Sequence, residues 1–406
     1  MARTIEEQAN LPTNLADADS WAGERIRLKY LDGVRGLAAM FVVLHHVHQE
    51  LTWREDLPRG IVIATRWLTL GHYAVAVFIV LSGYSLMLPV VRSPQRQLKG
   101  GFRKYMVRRS RRILPPYFAV LAFALALIAV VPPMRRVTGF SWNLAVPVTP
   151  GAVVSHLLLI ENLNLAWAVK INPPMWSVAT EWQIYFMFPL LLLPLWRRWG
   201  TLAMIVTAYS VGVALAIGSQ GRLDGACPWY LGLFAAGMGA AVVNFDPDDA
   251  ARRVRSRVPW SLLSVGFGVS LLAAVKLHAP WMVADGVAGL AAACLLVACT
   301  LGIENASGKR SWILRWFESN WAVRLGTVSY TLYLIHSPLI TLAHLGVRQL
   351  FGHDPIVRML LLPLISALLI APLTYAFYVL FERPFMRGHP RTPEKAALSA
   401  AMDPAP

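Results

Sequence analysis

Charged side chains are scarce in this sequence. Asp, Glu, Lys and Arg make up 15% of its 406 residues, whereas hydrophobic residues make up 56%. A soluble domain carries about a quarter charged residues, so a water-soluble enzyme is excluded. The apolar runs show no alternation of polar and apolar positions, which argues against a membrane β-barrel. Helices remain, because backbone groups in lipid must pair within their own segment.

Cysteine and repeated segments are also scarce. Cys227, Cys294 and Cys299 are too few and too irregularly spaced to predict a disulfide framework or a metal site. No internal repeat is apparent, which weakens the interpretation as a secondary transporter.

The basic residues behind the formal charge of +16 lie in short segments between apolar runs. That pattern is typical of cytoplasmic loops, so no nucleic-acid partner is predicted.

Apolar runs long enough to cross a bilayer recur along the chain. They predict an all-α bundle of about ten transmembrane helices, near residues 31–52, 66–91, 113–132, 176–196, 200–218, 226–244, 258–277, 281–303, 321–347 and 355–381. A further stretch, 151–165, is too short to cross comfortably. Counting it as a span would break the alternation of basic loops. It is therefore predicted to be a re-entrant or interfacial segment.

The basic loops also predict the orientation in the cell membrane. With the N-terminus inside, the segments that face the cytoplasm carry the Lys and Arg residues, namely 92–112, 196–199, 252–257, 309–315 and 383–387. Arg135 and Arg136 are the exception. Residues 1–29 lack the pattern of a signal peptide and are predicted to be a disordered cytoplasmic leader. Residues 30–385 form the transmembrane domain, and 386–406 form a cytoplasmic tail.

Ionisable residues inside the predicted spans indicate a functional site, because such residues are costly in lipid. Arg35 and His46 are eleven residues apart, so they share one helix face about 16 Å apart along the axis. Glu181 and His336 reach a similar depth in two other spans. The alternative is a snorkelling arginine and core histidines held by hydrogen bonds. Asp285 could belong to this group or simply bond a neighbouring backbone group.

A cluster of arginines marks the cytoplasmic mouth of the third span. Arg108, Arg109, Arg111 and Arg112 stand just before a Pro-Pro pair. Guanidinium groups bind phosphate through two parallel hydrogen bonds, although membrane orientation and anionic lipid are alternative reasons for such a cluster. Together with Arg35 at the rim, they favour an anionic donor that docks from the cytoplasm.

These segments together resemble the acyltransferase 3 family of membrane acyltransferases. The resemblance runs in order through Leu31–His46, Phe78–Tyr84, Arg108–Tyr117, Trp176–Tyr185, Ser329–Pro338 and Phe381–Pro384. It implies a ten-helix bundle that moves an acyl group, most often acetyl, from acyl-CoA onto a hydroxyl. The acceptor would be a carbohydrate or another small molecule. Trp182 departs from the pattern, since many members have a second acidic residue there.

Hydroxyl acylation needs a base to remove a proton, and histidine suits this task near neutral pH. His46 is the predicted base, Glu181 would orient it or the acceptor, and His336 is the second candidate. A covalent acyl-histidine route stays open. Ser82, in a Ser-Gly pair, is interpreted as a packing residue.

The remaining predictions concern binding. Acyl-CoA is expected as a co-substrate, with no metal and no permanently bound cofactor. Arg35 and the four arginines of the third span would hold its phosphates. Substrate binding is predicted for Trp176, Ser177, Tyr185 and Tyr330. The competing hypothesis is a proton-coupled transporter that uses the same histidines and glutamate. The acceptor, the acyl chain length and the oligomeric state are not predicted.

Overall fold

The protein folds as a bundle of helices. The computed structural model describes residues 28–52, 57–136, 141–304, 311–352 and 354–386, and this part contains no β-strand. The predicted leader and tail lie almost entirely outside the described residues. The helices are α1 (Lys29–Thr52), α2 (Arg59–Thr65), α3 (Ala74–Val91), α4 (Gly101–Val130), α5 (Pro150–Leu158), α6 (Met175–Met187), α7 (Leu193–Gly218), α8 (Tyr230–Phe245), α9 (Asp249–Arg257), α10 (Trp260–Lys276), α11 (Trp281–Glu304), α12 (Trp312–Phe317), α13 (Asn320–Phe351), α14 (Pro355–Phe377) and α15 (Arg383–Met386).

Within the described residues, six helices are long and apolar enough to cross a membrane. A seventh is counted if α9 and α10, which meet at a bend of 65°, form one span. Helices α6 and α7 count once because a π-helical turn joins them, although a kink at Gly200 divides α7. Helices α1 and α13 are absent from this set and carry several titratable residues. The prediction of about ten spans therefore remains a prediction.

The short stretch near 151–165 does not form a transmembrane helix. Helix α5 has nine residues, with Thr149 accepting a hydrogen bond from the amide of Ala152 at its start. Nine residues rise about 13 Å, less than half of the hydrocarbon thickness. Asn162, just beyond α5, donates to the hydroxyl of Thr180 on α6 at 2.9 Å. The segment thus folds back against the bundle.

The arginine cluster lies on a helix, which corrects one expectation. Residues 101–112 were expected to form a loop, but α4 already begins at Gly101. The segment from Phe102 to Leu114 contains neither Gly nor Pro, and Lys and Arg are good helix formers. The arginines consequently occupy defined faces of α4.

Helices α1 and α13 run parallel and in close contact. A Cβ atom added at Gly36 would lie 2.5 Å from the backbone nitrogen of Gly326, so both positions require glycine for the helices to approach. Ten residues further along each helix, the rings of His46 and His336 are in contact, with centroids 5.0 Å apart. The equal spacing on the two helices shows that they keep one register.

The predicted cytoplasmic orientation of the 92–112 segment can be tested by cysteine labelling. The three native cysteines are buried, so they should give little background. We expect a membrane-impermeant maleimide added to intact cells to miss Gln95→Cys and to label Arg222→Cys, because both side chains are exposed but lie in loops of opposite predicted side. Efficient labelling at position 95 would invert the predicted topology.

Candidate active site

A cavity, partly open to solvent, lies between five helices. Residues of α1, α3, α4, α6 and α13 line it: Arg35, Val75, Phe78, Ile79, Ser82, Ser85, Leu86, Arg109, Arg112, Ile113, Ser177, Val178, Glu181, Tyr185, Ser329, Tyr330 and Tyr333. The five sequence segments that resemble the acyltransferase 3 family between residues 31 and 338 thus meet at one site.

The structure divides the four arginines of the predicted cluster on α4 into two pairs. Arg109 and Arg112, three residues apart, line the cavity, together with Arg35 of α1. Arg108 and Arg111 are exposed on another face of the helix. Residues three apart share a helix face, which accounts for the division. Of the five arginines predicted to bind the donor, three therefore face this cavity.

Glu181 lies in the same cavity as these arginines. One of its carboxylate oxygens, Oε1, accepts a hydrogen bond from the Tyr185 hydroxyl at 2.6 Å and another from the Ser82 hydroxyl. The interpretation of Ser82 as a packing residue is therefore wrong. Its neighbour makes the close helix contact instead, because a Cβ at Gly83 would lie 2.0 Å from the carbonyl oxygen of Phe234 on α8.

His46 and His336 form a pair at a different place. The Nδ1 atom of His46 is 2.9 Å from Oε1 of Gln49. The Nδ1 atom of His336 is 3.3 Å from the carbonyl oxygen of Leu332. A side-chain amide oxygen and a backbone carbonyl oxygen accept hydrogen bonds but cannot donate them. In the neutral ring of each histidine the proton is therefore on Nδ1, and Nε2 carries a lone pair. Among the described residues, the buried Nε2 of His336 has no hydrogen-bond partner.

Tyr333 connects the cavity with the histidine pair. It lines the cavity, and its ring centroid is 5.8 Å from that of His336. Its hydroxyl is 2.6 Å from the Ser177 hydroxyl and 3.2 Å from the carbonyl oxygen of Pro174. Tyr333 therefore lies beside both the arginine-lined cavity and one histidine of the pair. Its position, three residues before His336 on α13, was the signal in the sequence that could have identified it.

The structure brings three of the four predicted substrate-binding residues into the cavity. Ser177, Tyr185 and Tyr330 line the cavity, but Trp176 packs toward Tyr230 instead, with ring centroids 6.1 Å apart. Glu181 was expected to orient either His46 or the acceptor, and its hydrogen bonds go to Ser82 and Tyr185 rather than to His46. Side chains at the same depth on different helices can point in different directions, because each helix has its own rotation about its axis.

Asp285 lies neither in the lining of the cavity nor in the histidine pair. It is buried, accepts a hydrogen bond from the Trp229 indole at 2.9 Å, and lies 3.8 Å from Nε2 of His72. Of the two possibilities left open for this residue, the structure favours local bonding, although the partner is a side chain.

Comparison with known proteins agrees with the sequence resemblance. The acyltransferase 3 family, described as an acyltransferase domain, matches residues 28–383. YrhL of Bacillus subtilis (strain 168) is 23% identical over 382 residues, which cover 87% of this chain and 54% of YrhL. The O-acetyltransferase OatA of Staphylococcus aureus (strain NCTC 8325 / PS 47) is 22% identical, over 86% of this chain and 56% of OatA.

A third relative also matches most of this chain. The peptidoglycan O-acetyltransferase OatA of Listeria monocytogenes serovar 1/2a (strain ATCC BAA-679 / EGD-e) is 21% identical, over 77% of this chain and 49% of that protein. The chain thus spans about half the length of the curated relatives it matches. No solved structure matches it. With a family match over nearly all of the described residues, the chain belongs to the acyltransferase 3 family.

Proposed function

We propose that this chain transfers an acetyl group from acetyl-CoA to a hydroxyl group of a cell-wall glycan. The observation that carries the proposal is the arrangement of the site. Three arginines and Tyr333 line one cavity, and the Tyr333 ring lies 5.8 Å from that of His336, whose ring in turn contacts His46. The acceptor class is supported by the names of two relatives, YrhL and the Listeria OatA, both of which name peptidoglycan O-acetylation.

The arginines would bind the donor. Acetyl-CoA carries phosphate groups at one end and the reactive thioester at the other, so a cluster of guanidinium groups suits its anionic end. Arg35, Arg109 and Arg112 would hold the phosphates at the cytoplasmic mouth. The thioester would then extend along the apolar wall of the cavity toward Tyr333.

The histidine pair would perform the proton transfer. Nε2 of His46 takes the proton of the acceptor hydroxyl as its oxygen attacks the thioester carbonyl. The carbon–sulfur bond breaks, the acetyl group remains on the oxygen, and the proton returns to the coenzyme A thiolate. His336, whose ring contacts that of His46, would stabilise the charged ring or act as the alternative base.

Glu181 would act on turnover rather than on donor binding. We expect Glu181→Gln to lower kcat for acetyl transfer while the Kd for acetyl-CoA does not rise, because a carboxylate among the arginines does not attract an anionic donor. Equilibrium binding of labelled acetyl-CoA and steady-state kinetics measure the two effects separately. Ser85→Ala, another change in the cavity wall, serves as the control. Weaker donor binding in Glu181→Gln would instead show that this residue holds the arginines in place.

The proposal is tested with purified protein in lipid nanodiscs. We expect release of free coenzyme A thiol from acetyl-CoA, stimulated by soluble glycan from muramidase-digested cell wall, with acetyl esters appearing on the glycan. Absence of thiol release would overturn the acyltransferase function and revive the transporter hypothesis. Thiol release without acetylated glycan would overturn the acceptor class.

A further inference from the structure

We propose that Gln49 is a positioning residue that holds His46 in the form able to act as a base. The inference rests on the proposed function, since it concerns the same histidine. Gln49 is three residues after His46 on α1, so the two side chains share a face of the helix. The atoms Nδ1 of His46 and Oε1 of Gln49 are 2.9 Å apart, a normal hydrogen-bond distance.

The direction of this hydrogen bond decides which nitrogen can react. An amide oxygen accepts and cannot donate, so Nδ1 of His46 must carry the proton in the neutral ring. The lone pair is then on Nε2. A neutral imidazole has only one such lone pair, and the partner at one nitrogen determines where it is. Without Gln49, the ring would be free to place its proton on Nε2, which would remove the base.

Among the residues that the structure describes, no second hydrogen bond to a ring nitrogen of His46 accompanies the one with Gln49. His45, beside it in the chain, points to another element and places its own Nδ1 3.0 Å from the carbonyl oxygen of Leu68. His336 directs its Nδ1 to the carbonyl oxygen of Leu332 on its own helix. Its ring contacts that of His46 but offers an unprotonated Nε2. Gln49 is therefore the side chain that sets the proton position of His46.

Three substitutions at Gln49 separate this role from packing. Gln49→Met keeps the length of the side chain but removes the acceptor, and we expect kcat to fall roughly five- to tenfold, the effect of one hydrogen bond. Gln49→Lys replaces the acceptor with a donor, which would force the proton onto Nε2, so its loss should exceed that of Gln49→Met. The KM for acetyl-CoA should change less than twofold in both variants.

The third variant tests rescue. Gln49→Glu keeps an accepting oxygen and adds a negative charge, so it should retain kcat near neutral pH. The carboxylate would also stabilise the protonated ring. The acid limb of the pH–rate profile, where the base becomes protonated, should therefore move to higher pH by about one unit. A purely structural residue would not shift this limb.

The control lies on the same turn of α1. Thr52 donates to the carbonyl oxygen of His48 at 2.8 Å, so Thr52→Val removes a hydrogen bond at the helix end without touching His46. We expect its kinetics to match those of the unmodified protein. Unchanged kinetics in Gln49→Met, or equal losses in the Met, Lys and Glu variants without a pH shift, would overturn the proposal. An unmodified protein that releases no coenzyme A would instead overturn the proposed function itself.

Discussion

Replacing His46 with asparagine should nearly abolish acetyl transfer while the protein still binds acetyl-CoA. Asparagine can place a polar atom where Nδ1 was and keep the contact with Gln49, which is 2.9 Å long in the native protein. It has no group at the position of Nε2. General base catalysis contributes a factor of about 10²–10⁴, so kcat should fall by that order. Donor affinity should stay within twofold, since the arginines are unchanged.

The neighbouring histidine provides a matched control for this prediction. The Nδ1 atom of His45 is bonded to the carbonyl oxygen of Leu68. His45 also packs closely against Gly71, because a Cβ atom added at Gly71 would lie 2.4 Å from the Cβ of His45. His45→Asn can keep the bond to Leu68, so we expect less than a tenfold loss of kcat. Thermal unfolding of both variants would show whether either loss comes from misfolding. Equal losses of kcat in two folded variants would contradict the assignment of His46 as the base.

Removing Arg109 and Arg112 together should raise the KM for acetyl-CoA by two orders of magnitude or more. Both residues line the cavity, and a hydrogen bond to a charged group contributes about 1.5–3 kcal/mol. The loss of two such contacts corresponds to at least a hundredfold in affinity. Lysine replacements should restore only part of this loss, because an ammonium group cannot bind phosphate through a planar fork.

The same helix supplies a control with an identical change in charge. Arg108→Ala combined with Arg111→Ala also removes two positive charges from α4, but both side chains are exposed and lie outside the cavity. We expect its KM to change less than threefold at physiological ionic strength, where exposed charges are screened. Equal effects of the two double variants would mean that the arginines attract the donor through their summed charge rather than through contacts.

Much of the architecture could be predicted from local sequence. The predicted span at 281–303 is almost the same as helix α11, Trp281–Glu304, and 258–277 agrees closely with α10, Trp260–Lys276. Long apolar runs make this possible, because a backbone in lipid has to form helices. The start of α4 at Gly101 was missed, since hydropathy does not report helices that extend beyond the membrane.

The site residues could be predicted only in part. Helix periodicity placed Tyr185 beside Glu181 and separated His46 from His45, and the contacts within the helices agree with this. It could not show that the carboxylate bonds Ser82 of α3. That contact joins residues 99 positions apart, and its geometry depends on how the helices cross.

The sequence alone determined the helical class, the basic segments and the family, because apolar length, charge and short motifs are properties of neighbouring residues. Tertiary structure decided which of these residues share a space. It brought Arg35, Arg109 and Arg112 to one cavity, turned Arg108 and Arg111 away, and set His46 against His336 rather than Glu181. Close packing of helices at glycine contacts fixes their rotation and register, and rotation determines which side chains meet.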